Sequence, residues 1–115
     1  MEVTIYHNPK CGTSRTVLSM LRERGIEPQV IEYLNAPPNR SDLKALLAKM
    51  RIGPRDLLRR RGTPYDELGL DDPKLSDTVL IGHMAEHPIL MERPVVVTRK
   101  GAKICRPAEV VNTLL

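Results

Sequence analysis

The sequence predicts an α/β fold: a mixed sheet of about four strands with flanking helices, in a single domain that spans residues 1–115. Three observations predict it. An apolar run, a helix of crossover length and a second apolar run open the chain. Helical periodicity broken by Pro and Gly fills the middle, and two short apolar runs joined by Lys100-Gly101 follow. The expected order is therefore β-α-β, a helical insertion, then β-β-α.

The first 33 residues predict a strand, a helix and a second strand. Residues 3–6 (VTIY) form the first strand and 29–33 the second. Between them, three apolar residues recur at helical spacing before Gly25: Val17, Leu18 and Leu21. Because a helix of crossover length separates the two strands, we expect them to be parallel, with a right-handed connection.

The middle of the chain predicts three helices inserted between strands 2 and 3. Apolar residues at i, i+3, i+4 and i+7 define the first: Leu43, Leu46, Leu47 and Met50. Pro54 can start the second, which would carry the run of arginines at 59–61. Ser76 is a candidate N-cap for the third, which would end at 87–88.

The last part of the chain predicts a hairpin followed by a helix. Residues 95–98 (VVVT) and 103–106 (KICR) are the expected strands, joined antiparallel through the Lys100-Gly101 turn. Pro107 opens a final helix with an apolar face: Val110, Val111 and Leu114.

Composition narrows the class of partner and the compartment. The formal net charge of +4 suits nucleic acid or a small anionic substrate, but only 3% of residues are aromatic, which disfavours nucleobase stacking. No stretch approaches the roughly 18 apolar residues of a membrane span, so we expect a cytoplasmic protein without membrane association. Cys11 and Cys105 are expected to be free thiols, and two cysteines without a nearby His cluster argue against a metal site.

Cys11 is the residue around which any chemistry would be organised. It lies where a strand ends and a helix begins, so unpaired backbone N–H groups and the positive end of the helix dipole favour its thiolate. His7 and Arg15 are expected to add positive charge, and Ser14 offers a hydroxyl. A buried structural cysteine is the alternative, but the neighbouring Gly, Thr and Ser are typical of an exposed loop.

Four stretches, in order and over almost the whole chain, resemble one family. They are residues 7–15 (HNPKCGTSR), 64–70 (PYDELGL), 87–97 (HPILMERPVVV) and 105–110 (CRPAEV). Together they resemble the glutaredoxin-coupled arsenate reductases of the thioredoxin-like superfamily. The resemblance implies a thioredoxin-like fold and an enzyme that reduces arsenate to arsenite. It implies a Cys11 thiolate–arsenic adduct resolved by glutathione, a co-substrate, and glutaredoxin, with no bound cofactor.

The same resemblance assigns roles to six residues. Cys11 matches the nucleophile, and Arg59, Arg93 and Arg106 match the oxyanion site. His7 and Ser14 match positions that support the thiolate. Without the resemblance, the run at 59–61 is typical of a solvated helix face, and Arg60 and Arg61 keep that interpretation. Arg93 precedes Pro94, which matches the cis-proline of thioredoxin-like proteins.

Three other functions remain open or are disfavoured. A thiol-redox protein of the same fold, acting on a glutathione mixed disulfide or another oxyanion, is the main alternative. A redox-responsive transcription regulator with a Cys-x-x-Cys switch is disfavoured because Ser14 occupies the second position. A Cys-x5-Arg phosphatase-like loop is disfavoured because Val17 stands where the arginine would be.

Cys105 is not expected to resolve the Cys11 adduct. Neighbouring residues on a strand point to opposite faces, so Cys105 must turn away if Arg106 turns towards the oxyanion, unless the strand ends or bulges between them. The electrons would then have to come from an external thiol.

Overall fold

The structure, a computed structural model, describes residues 2–115. Contacts between Cα atoms divide the chain into two compact units. The first unit contains residues 2–36 and 93–115, and the second contains Pro37–Glu92. The second unit is thus the helical insertion that the sequence predicts between strands 2 and 3.

The first unit is built on a four-stranded mixed sheet. Its strands are β1 (Thr4–His7), β2 (Gln29–Glu32), β3 (Val95–Thr98) and β4 (Gly101–Ile104), in the spatial order β2-β1-β3-β4. β1 pairs with β2 in parallel, whereas β1–β3 and β3–β4 are antiparallel. The predicted parallel pair and the predicted hairpin are both confirmed.

One face of this sheet carries the core of the first unit. Helix α1 (Gly12–Glu23) buries Val17 and Leu21 there, and a C-terminal 3₁₀ helix (Ala108–Leu114) buries Val111 and Leu114. Ile5 on β1 lies opposite Val96 on β3, and both side chains are fully buried in the same cluster. Burial of this apolar surface fixes the angle at which α1 leaves β1.

The second unit is helical. Its elements are α2 (Arg40–Met50), α3 (Pro54–Leu57), α4 (Asp77–Glu86) and a 3₁₀ turn (Pro88–Leu90), and α4 packs against each of the others. The apolar stripe predicted for α2 is buried at Leu43, Leu46 and Leu47. Ser76 caps α4 as predicted, because its Oγ accepts a hydrogen bond from Val79 N at 3.2 Å.

Three predicted elements differ in the structure. The helix from Pro54 ends at Leu57, because Leu58 is extended and bridges Met91, so the arginines at 59–61 are not on a helix. β4 ends at Ile104 and does not include Cys105 and Arg106. The Cys105 N–H still donates to Pro94 O at 2.9 Å, but proline has no N–H with which to continue the ladder.

The third difference is the C-terminal element, which is a 3₁₀ helix that begins at Ala108, with Pro107 as its N-cap. Its apolar residues keep the predicted inward face, since Val111 and Leu114 are buried. None of the helices in residues 2–115 is long and apolar enough to cross a membrane.

The N-terminus of α2 gives a test of the fold of the second unit. Asn39 Oδ1 accepts from Asp42 N at 2.8 Å, and Asp42 Oδ2 accepts from Asn39 N at 3.1 Å, which is a complete capping box. We expect Asn39→Ala to lower the free energy of unfolding by about 1 kcal/mol, measured by urea denaturation. Ser41→Ala, at an exposed position in the first turn of the same helix, is the control. Its free energy of unfolding should stay within about 0.5 kcal/mol of the parent value.

Candidate active site around Cys11

Cys11 is held at the junction of β1 and α1. It is the N-cap residue of α1, and its backbone N–H donates to Asn8 O at 3.0 Å. Asn8 is itself buried, and its Oδ1 accepts from Lys10 N at 3.0 Å. The loop between strand and helix is therefore braced from within. It places the Cys11 side chain, only 8% exposed, beside the first turn of the helix.

Ser14 and His7 form a hydrogen-bonded pair beneath this loop. His7 Nδ1 and Ser14 Oγ are 2.6 Å apart, and Ser14 Oγ also accepts from Asn8 N at 3.1 Å. His7 is on the same face of β1 as Ile5, because side chains alternate along a strand, and this face is covered by α1. Ser14 is fully buried in the first turn of α1, where it meets the ring.

His7 does not supply the positive charge that the sequence suggested. Burial lowers its pKa, and the neighbouring Arg22 and Arg15 guanidinium groups lower it too, against the opposing effect of Glu32. The imidazole is therefore neutral at neutral pH. What His7 contributes to the site is its hydrogen bond with Ser14.

Two arginines of the first unit supply the charge beside the sulfur. Arg106 Nη1 lies 3.5 Å from Cys11 Sγ and 3.3 Å from the backbone oxygen of Arg93. Both arginines precede prolines, and both the Arg93-Pro94 and the Arg106-Pro107 bonds are cis. The first of these cis bonds is the one that the resemblance predicts.

The surroundings of Cys11 favour its thiolate. Burial raises the pKa of the thiol, but this effect is outweighed by the backbone N–H of Ser14 and by hydrogen bonds from the Arg93 and Arg106 guanidinium groups. The pKa of Cys11 is lowered as a result. The arrangement can thus provide a nucleophilic sulfur with two guanidinium groups beside it.

Arg59, the third predicted oxyanion ligand, lies in the second unit. Its Nη1 donates to Glu92 Oε1 at 2.9 Å, and the two side chains are only 15% and 22% exposed. Its Nε donates to Arg61 O at 3.0 Å, and its backbone N–H donates to Leu90 O at 2.7 Å. The Arg59 side chain is therefore held in place, although it is not on a helix.

The neighbouring arginine, Arg60, differs from Arg59 in its exposure and its partners. Arg60 is exposed, forms a salt bridge with Asp66 at 2.6 Å and places its guanidinium over the Tyr65 ring, 5.1 Å from the centroid. Arg61 is also exposed.

Cys105 is a buried structural thiol. Its side chain is fully buried among the core residues of the first unit, where Sγ approaches Lys103 O at 3.6 Å. Burial raises its pKa to about 11. It belongs to the apolar cluster under the sheet and not to the charged group around Cys11.

Sequence reasoning missed two residues that hold predicted site residues in place, one in each unit. Asn8 braces the loop through its backbone and side chain, and Glu92 holds Arg59. The signal for Asn8 is its place before a proline where the first strand ends. Glu92 directly precedes Arg93 in a basic chain, but a pairing with Arg59 across 33 residues leaves no local signal. Among residues 2–115, no group of three or more metal-binding side chains comes together.

The thiolate can be tested by alkylation with iodoacetamide as a function of pH. We expect the rate at Cys11 to rise with a midpoint below the free-thiol value of about 8.5, and the midpoint to move upwards in Arg106→Ala. Cys11→Ser serves to subtract any reaction of Cys105. A Cys11 midpoint at or above the free-thiol value would contradict the electrostatics of the site.

The matches to known proteins cover almost the whole chain. The ArsC family model matches residues 6–114. An arsenate reductase of Escherichia coli is 56% identical over 113 residues, which is 98% of this chain and 80% of that protein. An arsenate reductase of Rhizobium meliloti is 54% identical over 115 residues, 100% of this chain and 82% of that one.

The fold agrees with the same family. The solved structure of an arsenate reductase from Vibrio cholerae superposes with a TM-score of 0.96 at 46% identity, and the match covers 100% of this chain and 98% of that one. The mixed sheet with flanking helices is therefore the thioredoxin-like fold of these proteins. By its family model, its relatives and its fold, the chain belongs to the ArsC family.

Proposed function

We propose that this protein reduces arsenate to arsenite, with Cys11 as the nucleophile. The single observation that carries the proposal is the short distance, 3.5 Å, between Cys11 Sγ and the Arg106 guanidinium, beside a thiol whose pKa is lowered. Such a pair both activates the sulfur and attracts an oxyanion to it. The relatives named arsenate reductase, at more than half identity over almost the whole chain, support arsenate as that oxyanion.

The proposed oxyanion ligands are Arg59, Arg93 and Arg106. Arsenate at neutral pH is a tetrahedral anion, and the planar guanidinium group presents paired N–H donors that match its oxygens. Arg93 and Arg106 would hold the anion over the sulfur that they activate. Arg59 is proposed as the third ligand from the resemblance to the family, and its guanidinium is held within the second unit by Glu92 and Arg61 O.

The proposed first step is attack of the Cys11 thiolate on arsenic(V). An S–As bond forms, an As–O bond breaks, and the departing oxygen leaves as hydroxide that takes up a proton to become water. No electron changes hands at this stage, because arsenic keeps its oxidation state. The hydrogen bond between Ser14 and His7 would keep the first turn of α1, and with it the Ser14 N–H, aimed at the sulfur.

The reduction itself needs two electrons from two thiols. For each arsenic acid, two thiols give one disulfide, one water and one arsenous acid, so that arsenic gains the electron pair that the sulfurs lose. Cys105, buried and with a pKa raised to about 11, is poorly suited to act as one of them. We therefore propose glutathione as co-substrate, so that the disulfide formed joins Cys11 to glutathione. Glutaredoxin is the proposed partner that reduces this disulfide and returns the Cys11 thiol, with no bound cofactor.

The direct test is release of arsenite from arsenate by the purified protein with glutathione and glutaredoxin. Turnover that requires all three components and is lost in Cys11→Ser would support the proposal. No turnover, together with fast glutaredoxin-dependent reduction of glutathione mixed disulfides, would favour a thiol-redox protein of the same fold.

The three proposed arginines give a graded prediction. Loss of one charge-assisted contact to the oxyanion costs about 1.5–3 kcal/mol, so we expect Arg59→Ala, Arg93→Ala or Arg106→Ala to weaken arsenate binding about ten- to a hundredfold. Arg60→Ala and Arg61→Ala are matched controls from the same run. Arsenate affinity can be measured by protection of Cys11 from alkylation. An effect of Arg60→Ala equal to that of Arg59→Ala would mean that the wrong arginine was assigned.

Substitutions of the two cysteines should have different effects on activity. We expect Cys11→Ser to abolish arsenite release and Cys105→Ala to retain most of it, because Cys105 is a core side chain. The small loss of buried volume in Cys105→Ala should appear in the unfolding midpoint and not in turnover. A Cys11–Cys105 disulfide in the mass spectrum after arsenate exposure, or an inactive but folded Cys105→Ala, would rule out an external thiol as the sole reductant.

A further inference from the structure

A cavity of about 590 Å³ in the first unit lies beside the group of residues around Cys11 and shares His7 with it. It lies beside α1, next to the end of β1 and the loop before Cys11. Charged, neutral polar and apolar residues line it: His7, Pro9, Arg15, Leu18, Ser19, Arg22 and Glu23. Its size is that of a pocket for a small organic ligand, and much larger than an oxyanion needs.

The cavity adjoins the nucleophile through Arg15. Arg15 Nη1 donates to Pro9 O at 2.9 Å, and a Cβ atom built on Gly12 would lie 3.7 Å from Arg15 Nη2. The guanidinium therefore lies across the residues on either side of Cys11. His7 makes a second link, because its ring lines the cavity and also bonds Ser14 in the first turn of α1.

The charges of the lining have a distinct pattern. Arg15 and Arg22 are two cations about two turns apart on one face of α1, and Glu23 is an anion beside Arg22. Arg22 is paired with Glu27 at 3.0 Å, but these side chains are 52% and 70% exposed, and an exposed pair of this kind exchanges partners at little cost. His7 is neutral, so it adds no charge to this set.

We propose that this cavity binds glutathione, which the proposed function requires as an external thiol. Glutathione carries two carboxylates at its ends, one ammonium group and a thiol on the central residue. The two carboxylates match Arg15 and Arg22, the ammonium matches Glu23, and Leu18 and Pro9 provide apolar surface for the peptide chain between them. A peptide held by its ends next to the Cys11 loop brings its thiol to the arsenic adduct as an intramolecular reactant.

Arg15 could instead serve only to brace the loop through Pro9 O. The two roles predict different results, because bracing acts on the Cys11 thiolate itself and would alter its reaction with every partner. Glutathione recognition acts only on reactions that involve the tripeptide. The test therefore compares two disulfides that react with the same thiolate.

The first experiment measures formation of a mixed disulfide at Cys11 by mass spectrometry. The Cys11 thiolate attacks one sulfur of glutathione disulfide, so that one glutathione becomes bound and the other leaves as thiolate; hydroxyethyl disulfide reacts in the same way but carries no charge. We expect Arg15→Ala and Arg22→Ala to slow the glutathione reaction about tenfold and to leave the hydroxyethyl reaction unchanged. Arg24→Ala is the control, since Arg24 is an exposed arginine of the same helix end that donates to Asn112 and is not part of the lining.

The second experiment measures binding without chemistry. S-methylglutathione, which has no free thiol, should shift the backbone amide resonances of Leu18 and Ser19 in the parent protein and bind about tenfold more weakly to Arg15→Ala and Arg22→Ala. Arsenate affinity, measured by protection from alkylation, should be the same in all of these variants. Because this arm needs no arsenate turnover, a failure of the proposed reductase activity and a failure of the glutathione site would be distinguishable.

Three outcomes would overturn the inference. Equal slowing of both disulfides in Arg15→Ala would assign Arg15 to the loop. Equal slowing in Arg24→Ala would reduce the effect to the general positive charge of the surface. Unchanged binding of S-methylglutathione, with a defect seen only when glutaredoxin is the reductant, would assign the cavity to contact with that protein.

Discussion

The structure of the first unit depends on one unfavourable placement, a sulfur that must carry negative charge in a residue that is only 8% exposed. Burial alone would favour the protonated Cys11 thiol, and it is the largest single influence on the pKa of this thiol. The charge is stabilised by the Ser14 N–H in the adjoining first turn of α1 and by two residues from a distant part of the chain, Arg93 and Arg106. The two arginines reach the sulfur because the sheet brings their strands to the same edge as the end of β1.

The geometry of the sheet explains how residues 11, 93 and 106 meet. β1 is central, with β2 on one side and β3 on the other, so the end of β1 lies near the beginning of β3. β4 runs antiparallel to β3 and ends where β3 begins, so Arg106 follows its strand at the point where Arg93 precedes its own. Pro94 and Pro107 stop the ladder there, and the Arg106 guanidinium can bond both Arg93 O and the sulfur. If β3 and β4 paired regularly one residue further, the backbone groups of Arg93 and Arg106 would be engaged in the sheet.

Local patterns predicted the strands and the amphipathic helices because their apolar periodicity records the face that is buried. Prediction was wrong where a distant partner decided the conformation. Leu58 is extended and forms a β-bridge with Met91 instead of continuing the helix. Cys105 donates to the backbone oxygen of Pro94, which has no N–H to donate in return. The expectation that His7 adds positive charge was wrong for the same reason, since the burial that lowers its pKa depends on the packing of α1. Within the arginine run, the sequence offered no physical ground for separating Arg59 from Arg60; the separation came from resemblance, and the structure shows a difference in burial and partners between them.

The two cysteines show how completely environment determines the chemistry of one residue type. Cys11 lies at a helix N-terminus among guanidinium groups, and its pKa falls; Cys105 lies between the sheet and α1 among aliphatic side chains, and its pKa rises to about 11. A thiolate in the second environment would have to be formed at the cost of burying an unpaired charge, which is why apolar burial makes cysteines inert. One reactive thiol can take part in a two-electron reduction only if the second sulfur arrives from solution. Under the proposed function, a site of this kind needs two adjacent recognition surfaces, one for the oxyanion and one for the incoming thiol. Helix α1 would belong to both, because its N-terminus lies at the sulfur and its residues Arg15 and Arg22 line the cavity.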